Sequence, residues 1–417
     1  MFIVHNKRIR RLFQLGRQVG LGTLACLCLG GPSLSWSMDG ADTPASPAFS
    51  LHGFGTLGMV RTDEDHAQFI RDLSQPSGAG TQWATKVDSL LGIQANVQFG
   101  PSTEGVVQVV SRYHADGSYS PELIWAFLRH DFSPGFSFRA GRLGTEFYML
   151  GDSRLVGYSN ISVRPPPDFY GSLVFSYIDG MDISATLPVA SGLLKGKLFA
   201  GQSPEKASYA PGILWNLEGS NLVGGYLDYS HGAWQVRMSH AQVRFEHEAP
   251  VDLLLHNIGI HLGQPYLSLR PEMSIAGKGA SFNSIGLVYD QGPLNVQFML
   301  NKITHDNLVY VDSKAGYLLA AYRLGATTPY FGVSRTLTDA VPTGLDPVTN
   351  FLVAHSYIDQ HTYTLGSRWD FQKNLALKAQ VDWIRGQPAS VFLLKETESG
   401  GWDGKMTVFS VSLDFVF

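Results

Sequence analysis

Between Arg139 and Asp168 the chain gathers ionisable side chains of both signs: Arg139, Arg142, Glu146, Asp152, Arg154, Arg164 and Asp168. Their spacing is not that of a nucleophile with its base, nor of a metal-ligand set. Fixed charges of both signs in one segment can do something else: they create a local field that orders small ions and polar solutes. Three more bases, Arg112, Arg368 and Lys378, stand with Arg139 at positions that alternation turns toward the polar face of a strand. Charges so close together can also pair and pin the segment, and pinning and field-shaping can coexist.

The elements that must hold these charges are strands. Leu375, Leu377, Ala379, Val381 and Trp383 alternate with Asn374, Lys378, Gln380 and Asp382; Leu91 to Phe99 and Leu294 to Leu300 repeat the pattern. Sixteen segments read this way: 50–61, 86–99, 105–114, 121–132, 136–142, 176–188, 193–201, 220–229, 233–246, 281–290, 294–304, 314–324, 328–337, 359–371, 374–385 and 405–417. A phase slip at Ser239–Ala241 predicts a bulge at His240. Even-to-odd joints are tight, as in Ser133-Pro134-Gly135 and Gln291-Gly292-Pro293. Odd-to-even joints are mostly long, the third running from Leu143 to Phe175. Phe99, Phe132, Phe136, Tyr229, Trp234, Tyr289, Tyr330, Trp369, Phe371 and Phe417 gather at the short-turn rim, where an interfacial girdle belongs.

The last strand ends Phe409, Val411, Leu413, Phe415, Phe417 with mostly polar residues between. It resembles the closing strand of Gram-negative outer-membrane β-barrels, in which a terminal Phe is the signal read by the barrel assembly machinery. The third long joint, entered by Arg139-Ala140-Gly141-Arg142-Leu143 and carrying Pro167-Asp168-Phe169-Tyr170-Gly171, resembles the constriction loop of trimeric general-diffusion porins, with Tyr170 inserted and Asp in place of Glu. The run Pro165-Pro166-Pro167 stiffens this version.

The resemblance implies an all-β transmembrane antiparallel barrel of about sixteen strands, with short periplasmic turns, long extracellular loops and the third loop folded into the pore. Arg112, Arg139, Arg142, Glu146, Asp152, Arg154, Arg164 and Asp168 would form the constriction, with Arg368 and Lys378 on the lumen wall and Phe417 as assembly signal. The function implied is passive diffusion of small hydrophilic solutes and ions by a homotrimer in the cell outer membrane, in contact with outer-membrane lipid and lipopolysaccharide. Alternatives are a substrate-selective channel, a barrel lipid hydrolase, or a plugged structural or adhesive barrel.

The ends and the composition agree. Lys7, Arg8, Arg10, Arg11 and Arg17, an apolar run from Val19 to Leu29 and Ser35-Trp36-Ser37 form a signal peptide over 1–37, followed by a linker (38–48) and the barrel (49–417). Both cysteines, Cys26 and Cys28, lie in the removed part. Without those five bases the 31 Lys+Arg fall well short of the 35 Asp+Glu, a net of about −9 that argues against a nucleic-acid partner. No Gly-x-Ser-x-Gly, phosphate loop, His-Glu-x-x-His or His-x-Ser-Asn-Gly type signature occurs, so no enzyme activity, cofactor or metal is expected. Asp63-Glu64-Asp65-His66 could hold a divalent ion or bridge lipopolysaccharide, but such loop tips are usually solvated; His247, Asp252, His256 and His261 share a loop without compact metal spacing.

Overall fold

The computed structural model describes residues 48–417 apart from 211, 252–272, 309, 341–343, 345–349, 351–352, 354–356, 388–393 and 397–400. The signal peptide, nearly all of the linker, and Asp252, His256 and His261 lie outside the described residues.

Sixteen antiparallel strands, each beside its neighbours in sequence, close into one barrel. They are β1 (Ala48–Thr62), β2 (Leu90–Gly100), β3 (Thr103–Arg112), β4 (Glu122–Ser133), β5 (Phe136–Gly144), β6 (Tyr177–Val189), β7 (Gly192–Gln202) and β8 (Asn221–His231). The second half comprises β9 (Trp234–Arg244), β10 (Gly279–Gln291), β11 (Leu294–His305), β12 (Ser313–Tyr322), β13 (Thr327–Thr338), β14 (Asp359–Gln372), β15 (Leu375–Gly386) and β16 (Lys405–Val416). Each corresponds to one expected segment. Closure pairs β1 with β16 from Phe54↔Val416 to Thr62↔Val408, so no backbone edge is left open.

Alternation fixes which side chains face in. On β15, Ala376, Lys378, Gln380 and Asp382 are buried inside, whereas Leu377 is exposed outside. The tight turns need left-handed backbone: Gly292 sits at φ 57° and Asn374 at φ 65°, residue types that tolerate it.

Two expectations fail here. The register through His240 is unbroken on both sides, Gly225↔His240 and His240↔Asn283, so there is no bulge. The polarity flips because the inner wall at that level is apolar: Ala241, Val243 and Phe282 are buried inside against the third loop, and His240 is exposed outside. Tyr330 is buried inside the barrel with its hydroxyl on Gln380, so it is not part of an outer girdle. Phe99, Phe132, Trp234, Trp369, Phe371 and Phe417 are exposed at the short-turn rim.

Candidate functional site: the loop-filled lumen

The largest apolar core lies inside the barrel, beneath the third loop (residues 145–176). Phe147 stacks on Phe199 with ring centroids 6.0 Å apart and tilts against Phe282 at 5.0 Å. A short helix, α1 (Pro167–Tyr170), starts on Pro167 and packs Phe169 against Tyr317 at 5.3 Å. The Tyr170 hydroxyl donates to the Met149 carbonyl (2.6 Å), tying the loop to itself. Ser239 donates to the Phe147 carbonyl (2.8 Å). This side of the loop is seated on the inner faces of β7, β9, β10 and β12.

The opposite side is held by charge. Arg164 forks onto both Asp88 oxygens (2.9 and 2.6 Å), reaches Asp382 on β15 (3.2 Å) and Ser410 on β16 (2.6 Å), and lies over the Phe69 ring at 5.0 Å. Lys378, fully buried, donates to the carbonyls of Gly157 (2.7 Å) and Ser162 (3.0 Å) and pairs with Asp414 (3.0 Å). Arg368 donates to the carbonyls of Tyr158 (2.7 Å) and Asn160 (2.9 Å). Gly157 has no room for a side chain, since a Cβ would fall 2.1 Å from Asp414 Oδ1 and 2.2 Å from Thr56 Oγ1. Asp168 accepts from Ser334 (2.6 Å) and Gln360 (2.7 Å); burial pushes its carboxyl up while these bonds pull it back.

At the loop entry, Glu146 meets Arg139 (3.0 Å) and Lys197, and Arg139 also grips Asp182 across the β5–β6 ladder. At the loop exit, Arg112 and Arg154 converge on the Ser176 hydroxyl (3.3 and 2.8 Å), and the backbone N–H groups of Ser176 and Tyr177 donate to Glu205 (2.7 and 3.2 Å). A cavity of about 20 Å³, room for about one water, lies between the loop and β3–β4, lined by Gln108, Trp125, Asp152 and Arg154 among others.

The structure thus brings Arg112, Arg139, Glu146, Asp152, Arg154, Arg164, Asp168, Arg368 and Lys378 into the lumen. Arg142 is the exception and corrects the expectation. It stands three residues after Arg139, so alternation turns it outward, where it pairs with Asp179 (2.6 Å) on the same face as the exposed Leu128 and Met181. Its place outside was already written in the parity of the strand. Asp152 is exposed and has no ion pair among the described residues.

Several partners were missed. Sequence reasoning turns Asp382 and Asp414 to the polar face of their strands without pairing them with the loop, while Lys197 and Asp182 lie on predicted strands, where inward parity could have found them. Asp88 and Asp72 come from the first loop (residues 63–89), which folds over the third: Leu73 N–H donates to the Gly171 carbonyl (3.0 Å), and Asp72 lies 3.7 Å from Arg112. Burial acts against the Asp72 charge, but Arg71, Arg112 and Arg154 hold its carboxyl well below the usual range. Glu64, Asp65 and His66 converge where the first loop leaves β1, a cluster common on exposed loops without any ion.

No protein-family model matches the chain, and no curated protein matches it. Solved structures do. An anion-selective porin from Comamonas acidovorans superposes with a TM-score of 0.53 at 14% identity, covering 89% of this chain and 100% of that one. OmpF of Salmonella typhi, solved with daunomycin, gives 0.55 at 13% identity over 88% and 97%. The outer-membrane channel DcaP of Acinetobacter baumannii gives 0.55 at 12% over 91% and 100%. At such identity the likeness is one of architecture, and on that ground the chain is a closed sixteen-stranded β-barrel of porin-like fold.

Proposed function

We propose that this barrel is an outer-membrane channel for passive diffusion of small hydrophilic solutes and ions, exported by its 1–37 signal peptide, recognised through Phe417 by the assembly machinery, and working as a homotrimer. The observation that carries the reading is the inverted lumen: ionisable side chains point inward on strand after strand, and a loop is built across them. A strand barrel whose outer face is apolar and whose inner face is charged suits a membrane around it and water within it. No catalytic role is assigned to any residue.

Within that reading, a narrow and selective channel is favoured over a wide general pore. The third loop is bound to both walls rather than to one, so the aperture is what remains between the loop and the walls. Reconstitution in planar bilayers tests this directly. Discrete conductance steps, with a reversal potential displaced from zero in a salt gradient, are expected. Membrane-inserted, correctly folded protein that passes no current would overturn the channel reading in favour of a plugged structural barrel.

A further inference from the structure

The inner wall is covered on every strand. Each of the sixteen carries an inward side chain that is buried, Thr56 on β1, Asp182 on β6, Met299 on β11 and Ser412 on β16 among them. Nearer the short-turn rim, inward side chains such as Ser137, Lys195 and Gln235 are only partly covered. The lumen is therefore open toward the short turns and filled against its wall where the loops cross it. The third loop fills the arc from β7 to β12. Across β15, β16 and β1 the first loop does so: its Phe69 and Val87 share one buried apolar cluster with Val60, Ile384, Met406 and Val408 of the wall.

Phe69 has three attachments. Its backbone exchanges two hydrogen bonds with Ala79 inside the first loop (2.8 Å each). It stands opposite Leu394 in a short ladder, Ala67–Phe69 against Leu394–Glu396, and the second of these strands belongs to the eighth loop, between β15 and β16. Its buried ring carries the Arg164 guanidinium at 5.0 Å, and Arg164 is the cation that ties the third loop to Asp88, Asp382 and Ser410. Leu73 adds a second tie between the two loops through the Gly171 carbonyl (3.0 Å). The seam of β1 with β16 takes nine residue pairs, whereas the ladder at Phe69 has three. So short a two-stranded sheet is marginal by itself, and it can part while the barrel stays closed.

We propose that Phe69 is the positioning residue of a latch: the first loop, clasped by the eighth, holds Arg164 and with it the third loop across the lumen, so that the channel rests shut. It opens when the Ala67–Phe69 strand leaves its ladder and takes the ring off Arg164. The proposal rests on the channel reading and makes closure its resting state. Contacts made in the shut state alone set the shut population, so removing them favours the open state and fixing them favours the shut one. Both cysteines of the chain, Cys26 and Cys28, precede the barrel, so a pair introduced at Gln68 and Lys395 has no competitor in the mature protein. These two residues stand directly opposite in the ladder, and opposed Cα atoms lie about 4.5–5.5 Å apart, within disulfide reach. The test records single channels of the full mature chain in planar bilayers. The parent should show long closures broken by brief openings. Oxidised Q68C/K395C should open about tenfold more rarely with the same step height, and a dithiol reductant should restore the parent's pattern. Phe69→Ala, which loses the ring over the cation, should spend about tenfold more time open. The reversible crosslink keeps the test decisive if Phe69→Ala folds poorly. A parent that stays open continuously, an oxidised pair that gates like its reduced form, or a Phe69→Ala channel with parent-like open time overturns the latch. No current from any of the three, folded and inserted, would instead count against the channel reading.

Discussion

The third loop is held on its two sides by different physics. Toward β7–β12 it is seated by Phe147, Phe169 and Tyr170 in an aromatic core; toward β14–β16 it is held by Arg164, Lys378 and Arg368 through buried ion pairs and charge-assisted hydrogen bonds. Apolar packing is non-directional and tolerates small shifts. Buried ion pairs are directional, and their net contribution is small while they are intact and large when half of one is removed. The difference suggests a division of labour: the aromatic side keeps the loop inside, and the ionic side fixes where it lies, hence how wide the passage is.

Breaking the ionic side should have the largest effect. Arg164→Ala leaves Asp88 and Asp382 facing each other without their cation, a loss of about 3–5 kcal/mol. Single-channel recording should show larger and noisier steps, and heat-modifiability gels an earlier melting. Unchanged conductance from a folded variant would mean that Arg164 does not set the aperture.

Gly157→Ala comes next, at about 1–3 kcal/mol, because the added methyl cannot coexist with Asp414 and Thr56 where they stand. The loop must lift off β16 and β1, weakening the contacts of Lys378 as well. A conductance shift in the same direction as Arg164→Ala, but smaller, is expected; a parent-like channel would show that the wall yields instead.

The aromatic side should respond least to a conservative change. Phe169→Leu keeps an apolar group under Tyr317 and should cost about 1 kcal/mol with conductance retained. A gain in conductance rivalling that of Arg164→Ala would erase the proposed division of labour.

Much of this arrangement was legible in the chain. The period of two, with tight turns alternating with long joints, gave each of the sixteen barrel strands, because each spanning strand must be apolar outside whatever it carries inside, but not the short strands inside the loops, such as Ala67–Phe69 and Lys206–Ala210. The inward bases Arg139, Arg368 and Lys378 followed from the same parity, and applying it once more would have placed Arg142 outside. What alternation does not contain is the fold of the loops. Nothing local tells Asp88 that it will meet Arg164, 76 positions on, or Gly157 that it will lie under Asp414. The His240 misreading has the same root: the rule assumes a wet interior, and a loop that brings its own aromatics makes part of the interior dry.

The smallest effect on conductance should appear where the two sides meet, at the return of the loop into β6. Burial raises the Glu205 carboxyl to about 7, although the N–H groups of Tyr177 and Ser176 and the cations Arg112 and Arg154 pull the other way. The folded chain therefore keeps a proton that the unfolded chain releases near the ordinary value of 4.5. Folded protein binds more protons than unfolded protein between these values, so stability falls as pH rises across the window. The contribution is fully present below about pH 4.5 and is lost as pH climbs through about 7. Glu205→Gln keeps a carbonyl for the two N–H donors and removes the proton. Its melting temperature should accordingly change less between pH 5 and pH 8 than that of the parent. Parallel melting profiles for the two proteins would show that Glu205 does not titrate there, and that the seam between the aromatic and ionic sides is insensitive to pH.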